Sequence, residues 1–223
     1  MYLVGKEIFF MKEEQFYCLS DESYFQYYYD EARIYLGTTQ YVKLNQLQKD
    51  VLILCDGVHS EKDIFEIIQK KYQIEKNKDN EDLLIGVINK LQDKNIIKVS
   101  NVKREKKIKM YGEIGKCYPI SIICEITSKC NFQCPHCYKE ASIYGKEMPF
   151  MKVREICDIF KDKIKTITIT GGEPLLHSNC AEIILMVAKQ FTTYLLTNGF
   201  YLDKISVEYL NMLKSIQISL YGY

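Results

Sequence analysis

Three thiols stand within eight residues in Cys130-Asn-Phe-Gln-Cys134-Pro-His-Cys137, and no other stretch of the sequence carries as much reactive chemistry. Four thiolates normally enclose a 4Fe–4S cluster. Three leave one iron without a protein ligand, open to a chelating small molecule. The alternative is structural zinc with His136 as fourth ligand. Adjacent ligands such as His136 and Cys137 wrap one tetrahedral ion poorly, and the sequence has no second paired cysteine knuckle. The remaining cysteines (Cys18, Cys55, Cys117, Cys124, Cys157 and Cys180) are scattered, mostly in apolar segments, and read as small buried hydrophobes. A second motif follows, Thr170-Gly171-Gly172-Glu173-Pro174. Its two glycines let the backbone approach a ligand closely, with N–H groups free to meet a carboxylate. Glu173 can accept hydrogen bonds from an ammonium group. Taken alone, such a turn is commonly structural.

The elements that must position these motifs alternate in type. Ile120 to Ile126 is an apolar strand, and the cysteines follow it on a loop. A helix is expected from about Lys152 to Lys161, then a β-rich run from Thr166 to Thr170 that ends on the glycine pair. The Asn179 to Gln190 helix carries Glu182 as a capping-box partner. Thr193 to Thr197 is the third strand, Asp203 to Lys214 the next helix, and Ile216 to Leu220 the fourth strand. Repeated βα units imply a parallel sheet with right-handed crossovers. Both motifs then fall at strand C-termini, the catalytic face of a βα barrel.

Residues 1–100 read differently. Aromatic and β-branched runs at Phe16 to Leu19, Tyr24 to Tyr29, Ala32 to Leu36 and Tyr41 to Leu44 are separated by Ser20-Asp21, Asp30-Glu31 and Gly37-Thr38, the pattern of a small meandering sheet. Three helices follow. Asn45 and Gln48 open the first, with Leu47, Val51 and Leu54 as its apolar stripe and Gly57 as its stop. Ser60 and Asp63 open the second, with Ile64, Phe65, Ile68 and Tyr72 facing inward. The third runs from about Glu81 to Lys94 over Leu84, Val87, Ile88 and Leu91, Asn95 ends it, and Ile96 to Val99 closes the unit as a strand. Strands followed by three short helices suggest a winged-helix-like α+β domain. Residues 101–117, rich in Lys and Arg, read as a basic, solvated linker, and residues 118–223 as the α/β part.

Composition narrows the functions. A net charge of +1 gives no footprint for nucleic acid. The third helix sets Glu81, Asp82 and Asp93 against Lys90 and Lys94, which would repel phosphate. No stretch approaches the ~20 apolar residues that span a bilayer, and no signal peptide is evident. Clustered cysteines in a chain of this kind point to a reducing, cytoplasmic setting.

CNFQCPHCY, ITGGEP, LLTNG (195–199) and ISLYG (218–222) occur in the order and spacing of the radical S-adenosylmethionine (SAM) superfamily, and this half of the sequence resembles most closely the branch that matures peptides and carries a SPASM extension. The resemblance implies a radical SAM partial barrel with a 4Fe–4S cluster on Cys130, Cys134 and Cys137. SAM would chelate the fourth iron through its amino and carboxylate groups and be cleaved to a 5'-deoxyadenosyl radical. It further implies that Gly171, Gly172 and Glu173 bind the amino end of SAM. His136 would lie near the adenine, Ser219 (in the fourth strand) near the ribose, and Asn198 near the SAM pocket. A low-potential reductant such as a flavodoxin or ferredoxin would serve it. The first half resembles PqqD-like peptide-recognition domains through Tyr41-Val-Lys-Leu-Asn45, Leu54-Cys-Asp-Gly57 with Ser60, and Lys94-Asn-Ile-Ile97. A leader peptide would add a strand to its sheet edge beside the third helix. Together these imply an enzyme that modifies a ribosomally made precursor peptide; the alternative is a non-catalytic leader-binding protein or partner subunit. The family has six βα units, and only four strands are counted here before Tyr221-Gly222-Tyr223. The barrel is therefore expected to be incomplete, and the polypeptide alone poorly stable or inactive.

Overall fold

A computed structural model of the chain describes residues 14–21, 23–37, 40–139 and 141–220. Thr38 and the closing Tyr221-Gly222-Tyr223 lie outside the described residues. The chain divides into two compact units, residues 1–26 with 30–110 and residues 27–29 with 111–223.

In the first unit β1 (Phe16–Leu19) lies between β5 (Asp56–Ser60) and β6 (Ile97–Ser100), antiparallel to both. A meander of β2 (Ser23–Tyr29), β3 (Glu31–Leu36) and β4 (Gln40–Leu44) forms beside it in sequence, turning at Tyr29 with φ 52°. Helix α1 (Gln46–Leu54) opens on the expected capping box: Asn45 Oδ1 accepts from Gln48 N–H at 2.8 Å and Gln48 Oε1 accepts from Asn45 N–H at 3.0 Å. Ser60 and Asp63 form the same device at α2 (Glu61–Tyr72), and Asn77 caps α3 (Lys78–Asp93), one turn earlier than the sequence suggests. Val51, Leu52, Ile64, Ile68, Leu84, Ile88, Leu91 and Ile96 are buried as the core of this unit.

Two expectations change. Tyr72 does not face inward; its hydroxyl reaches across the surface to donate to Asp50 at 2.6 Å, because a phenol needs a partner for its O–H. The Gly57 segment is more than a helix stop, since residues 56–60 pair with β1 as a strand. The basic stretch after β6 is anchored at its start: Arg104 N–H donates to Gly57 O at 2.9 Å and Lys106 N–H to Asp56 O at 2.7 Å. Short strands β7 (Met110–Tyr111) and β8 (Lys116–Cys117) follow, with Lys116 and Cys117 paired to Tyr29 and Tyr28.

The second unit is the expected parallel sheet, ordered β12-β11-β10-β9, from β9 (Ser121–Thr127), β10 (Thr166–Gly171), β11 (Thr192–Thr197) and β12 (Ser215–Ile218). Helices α4 (Phe150–Phe160) and α5 (Cys180–Ala188) make the first two crossovers. They cover one face, where Ile126, Ile167, Ile169 and Leu195 pack with Val153, Ile183, Ile184 and Val187. Alternation along β10 sends Thr166, Thr168 and Thr170 to the opposite face.

The third crossover differs from expectation. In place of a helix from Asp203 to Lys214 there is a 3-10 turn at Leu202–Lys204 and a four-residue helix, α6 (Val207–Leu210). Ser206 makes no side-chain cap bond, and the exposed, β-branched Val207 offers the first turn little. The turn residues instead close i→i+3 bonds, such as Lys204 N–H to Tyr201 O at 3.1 Å. Asn179 makes no side-chain cap bond either, so no capping box forms with Glu182. Its backbone is not extended (φ −110°, ψ 31°), and its own N–H is donated to His177 Nδ1 at 3.0 Å.

Candidate active site

The C-terminal ends of the four parallel strands meet around one cavity of about 300 Å³. Cys130, Cys134, His136, Cys137, Gly171, Gly172, Asn198 and Ser219 all line it. The sequence places these residues in four separate segments; parallel pairing brings them together, because each segment leaves the same end of its strand.

The cysteine loop leaves β9 after Thr127. Cys130 N–H donates to Ser142 O at 3.0 Å and Cys137 N–H to Cys134 O at 2.9 Å, which curls the loop and turns its thiols to one side. Cys130 Sγ accepts from Phe132 N–H at 3.4 Å. Burial pushes the Cys130 thiol up, against the opposing effect of that N–H. Among the described residues, no three His, Cys, Asp or Glu groups converge in the way a single metal ion requires. In a 4Fe–4S cluster each thiolate meets a different iron, so its ligands stand apart around the group. Three soft thiols, none of them in a disulfide, around one cavity fit such a cluster, which would take the thiols as thiolates.

The glycine pair has a structural use beside the one its sequence suggests. A Cβ on Gly171 would stand 2.4 Å from Thr127 O, and one on Gly172 would stand 2.4 Å from Lys129 O. Gly172 N–H donates to Thr127 O at 2.8 Å and Glu173 N–H to Lys129 O at 2.7 Å. These N–H groups are therefore spent on the start of the cysteine loop and are not free for a ligand carboxylate. Side chains are excluded because backbone passes against backbone.

Glu173 does not line the cavity. It is 0% exposed and points under it: Oε1 accepts from Leu175 N–H at 3.0 Å and from the Thr197 hydroxyl at 2.7 Å, and Oε2 accepts from Asn198 N–H at 2.7 Å. One carboxylate thus joins the ends of β10 and β11. Asn198 extends the chain of bonds, donating from Nδ2 to Asn131 Oδ1 in the cysteine loop at 2.9 Å and accepting at Oδ1 from Phe200 N–H at 3.0 Å. Ser219 lies just past β12, its N–H donated to Thr197 O at 2.9 Å. Thr197, Asn131 and Lys139 were not singled out from the sequence. Thr197 could have been found as the hydroxyl residue inside LLTNG. Lys139 gave no signal, because a lysine in a polar turn ordinarily points to water.

Residues 124–222 match the family model of the Radical SAM superfamily. The cofactors of that family are a 4Fe–4S cluster and SAM. Across both units the chain is 29% identical over 189 residues to the antilisterial bacteriocin subtilosin biosynthesis protein AlbA of Bacillus subtilis (strain 168), covering 83% of this chain and 42% of AlbA. A probable GTP 3',8-cyclase of Archaeoglobus fulgidus is 38% identical over 85 residues, covering 37% of this chain and 29% of the cyclase. The fold resembles that of Streptococcus suis SuiB in its crystal structure bound to precursor peptide SuiA, with a TM-score of 0.51 at 15% identity, over 90% of this chain and 46% of SuiB. The chain spans less than half the length of these relatives.

Proposed function

We propose that the chain belongs to an enzyme that modifies a ribosomally made precursor peptide by radical SAM chemistry, with the first unit holding the leader of that peptide. The observation that carries this is the convergence of Cys130, Cys134 and Cys137 with Gly171, Gly172, Asn198 and Ser219 on one cavity. In this reading Cys130, Cys134 and Cys137 would hold the cluster, and SAM would bind beside it through its amino and carboxylate groups. The bound cofactors would supply the radical chemistry that abstracts hydrogen from the peptide. The protein's share is to position and shield. The turn at Gly171-Gly172 would wall the SAM site, with Glu173 fixing that wall from beneath, and His136 and Ser219 would flank the adenine and the ribose. The electron comes from a flavodoxin- or ferredoxin-like donor in the cytoplasm; no described helix is long and apolar enough to cross a membrane.

Leader binding by a PqqD-like, winged-helix-like domain is supported by the edges of the first unit. Among the described residues β4 and β6 are edge strands of its sheets, and α3 carries exposed Leu83 and Ile85. An extended peptide could take main-chain bonds from an edge and place apolar side chains beside the helix. AlbA's name concerns biosynthesis of a bacteriocin, and SuiB was crystallised with its precursor peptide; both favour a peptide over a nucleotide substrate.

The test is anaerobic reconstitution of the whole enzyme to which this chain belongs, followed by reductive cleavage of SAM, with coexpression of any short reading frame found beside its gene. About four irons per chain, SAM cleavage and a mass change on the peptide are expected. Zinc alone at the thiols would overturn the assignment. Peptide binding without SAM cleavage would leave only a leader-binding chain.

A further inference from the structure

We propose that Lys139 is a charged brace of the thiol cavity, tying the cysteine loop to the ends of β9 and β10 and raising the reduction potential of the cluster held there. The inference rests on the assignment of a cluster to Cys130, Cys134 and Cys137. Lysine normally keeps its ammonium in water, yet the Lys139 side chain is only 14% exposed. Its Nζ donates to Gly171 O at 3.2 Å and pairs with Glu125 Oε1 at 2.6 Å. One side chain from the loop thus reaches β9 through Glu125 and β10 through Gly171. Lys139 also lines the same cavity as the three thiols, which no Asp, Glu, Arg or second Lys lines among the described residues.

The two charges of the pair are unequal in reach. The Glu125 side chain is 51% exposed, so water screens its carboxylate, while the sheltered ammonium is screened less. The pair therefore adds a positive contribution to the field in the cavity, opposed to that of the buried Glu173 carboxylate beneath it. One-electron reduction by an external donor adds a negative charge to a cluster held by three thiolates, and a nearby cation favours the reduced form. Net charge and hydrogen bonding around a cluster are established determinants of its potential. Such a charge makes the electron easier to deliver.

The experiment is potentiometry, followed by electron paramagnetic resonance, on anaerobically reconstituted full chain, with dithionite as reductant. Lys139→Met should lower the midpoint potential and release iron to a chelator several-fold faster than wild type. Lys139→Arg, which keeps charge and donors, should stay near wild type. Glu125→Gln leaves the ammonium uncompensated and should shift the potential upward. A full cluster in Lys139→Met at the wild-type potential overturns the proposal, as does an unchanged potential in Glu125→Gln should the lysine variant fail to hold iron. A wild-type chain that holds no cluster overturns the cluster assignment itself, and the proposal with it.

Discussion

The turn around Glu173 and the loop around Cys134 stand side by side at the strand ends, yet one is held from inside and the other from its rim. Glu173 is sealed beneath the cavity and accepts bonds from Leu175, Thr197 and Asn198. The turn it supports is completed by protein atoms alone. The cysteine loop presents Cys134 half-buried and Cys137 exposed, and it is fastened at Ser142, at Asn131 through Asn198, and at Lys139. Its thiols face a cavity, not a core. The contrast predicts a frame that stands without the cofactor and a ligand loop that gains order from what it binds.

The sharpest way to break that contrast is Glu173→Ala. It strands two backbone N–H groups and a buried hydroxyl, and should cost at least about 3 kcal/mol, read as loss of the second unit's structure at lower urea. Thr197→Val, which removes one donor to the same carboxylate and one acceptor for Gly199 N–H, should cost about 1–2 kcal/mol by the same measurement.

Glu147 gives a pH-resolved version at the rim. Its carboxyl is held down to about 2, first by the Lys129 ammonium at 2.8 Å and then by the Ser178 hydroxyl at 2.6 Å. A depressed carboxyl stabilises the fold fully above its ordinary value and loses that contribution as pH falls toward 2. Wild type should therefore exceed Glu147→Gln by about 1 kcal/mol at neutral pH, and the gap should close on acid titration monitored by circular dichroism. A gap constant with pH would show that the ion pair contributes nothing. Cys134→Ser should move the stability of iron-free protein least, by under about 0.5 kcal/mol, while removing most of the bound iron. If it instead unfolds the iron-free chain, the loop is part of the frame and the contrast fails.

Much of this arrangement was legible in the residues. The apolar and β-branched runs of β9 to β11, the caps at Asn45 and Ser60, and the spacing of the cysteines are local signals, and local geometry follows them. What escaped depends on distant partners. Residues 56–60 read as a break between helices because their pairing to β1 lies outside any short window. Glycine at 171 and 172 reads as room for a ligand, whereas the atoms that need the room are Thr127 O and Lys129 O. Glu173 reads as an acceptor for a ligand's ammonium group, and nothing near it in sequence announces its bonds to Thr197 and Asn198. The shortened third crossover shows the opposite failure: its apolar spacing suggested a longer helix than an uncapped, β-branched start could support.

The threonines of β10 that turn their backs on the helices have a consequence for selectivity. Thr170 already reaches the cavity wall, and Thr168 and Thr166 continue down the strand. A guest laid along that wall meets threonine hydroxyls as well as their methyls, with Ala141 and Leu196 close by. A donor or acceptor matched to those hydroxyls discriminates between guests more sharply than a methylene does against the methyls.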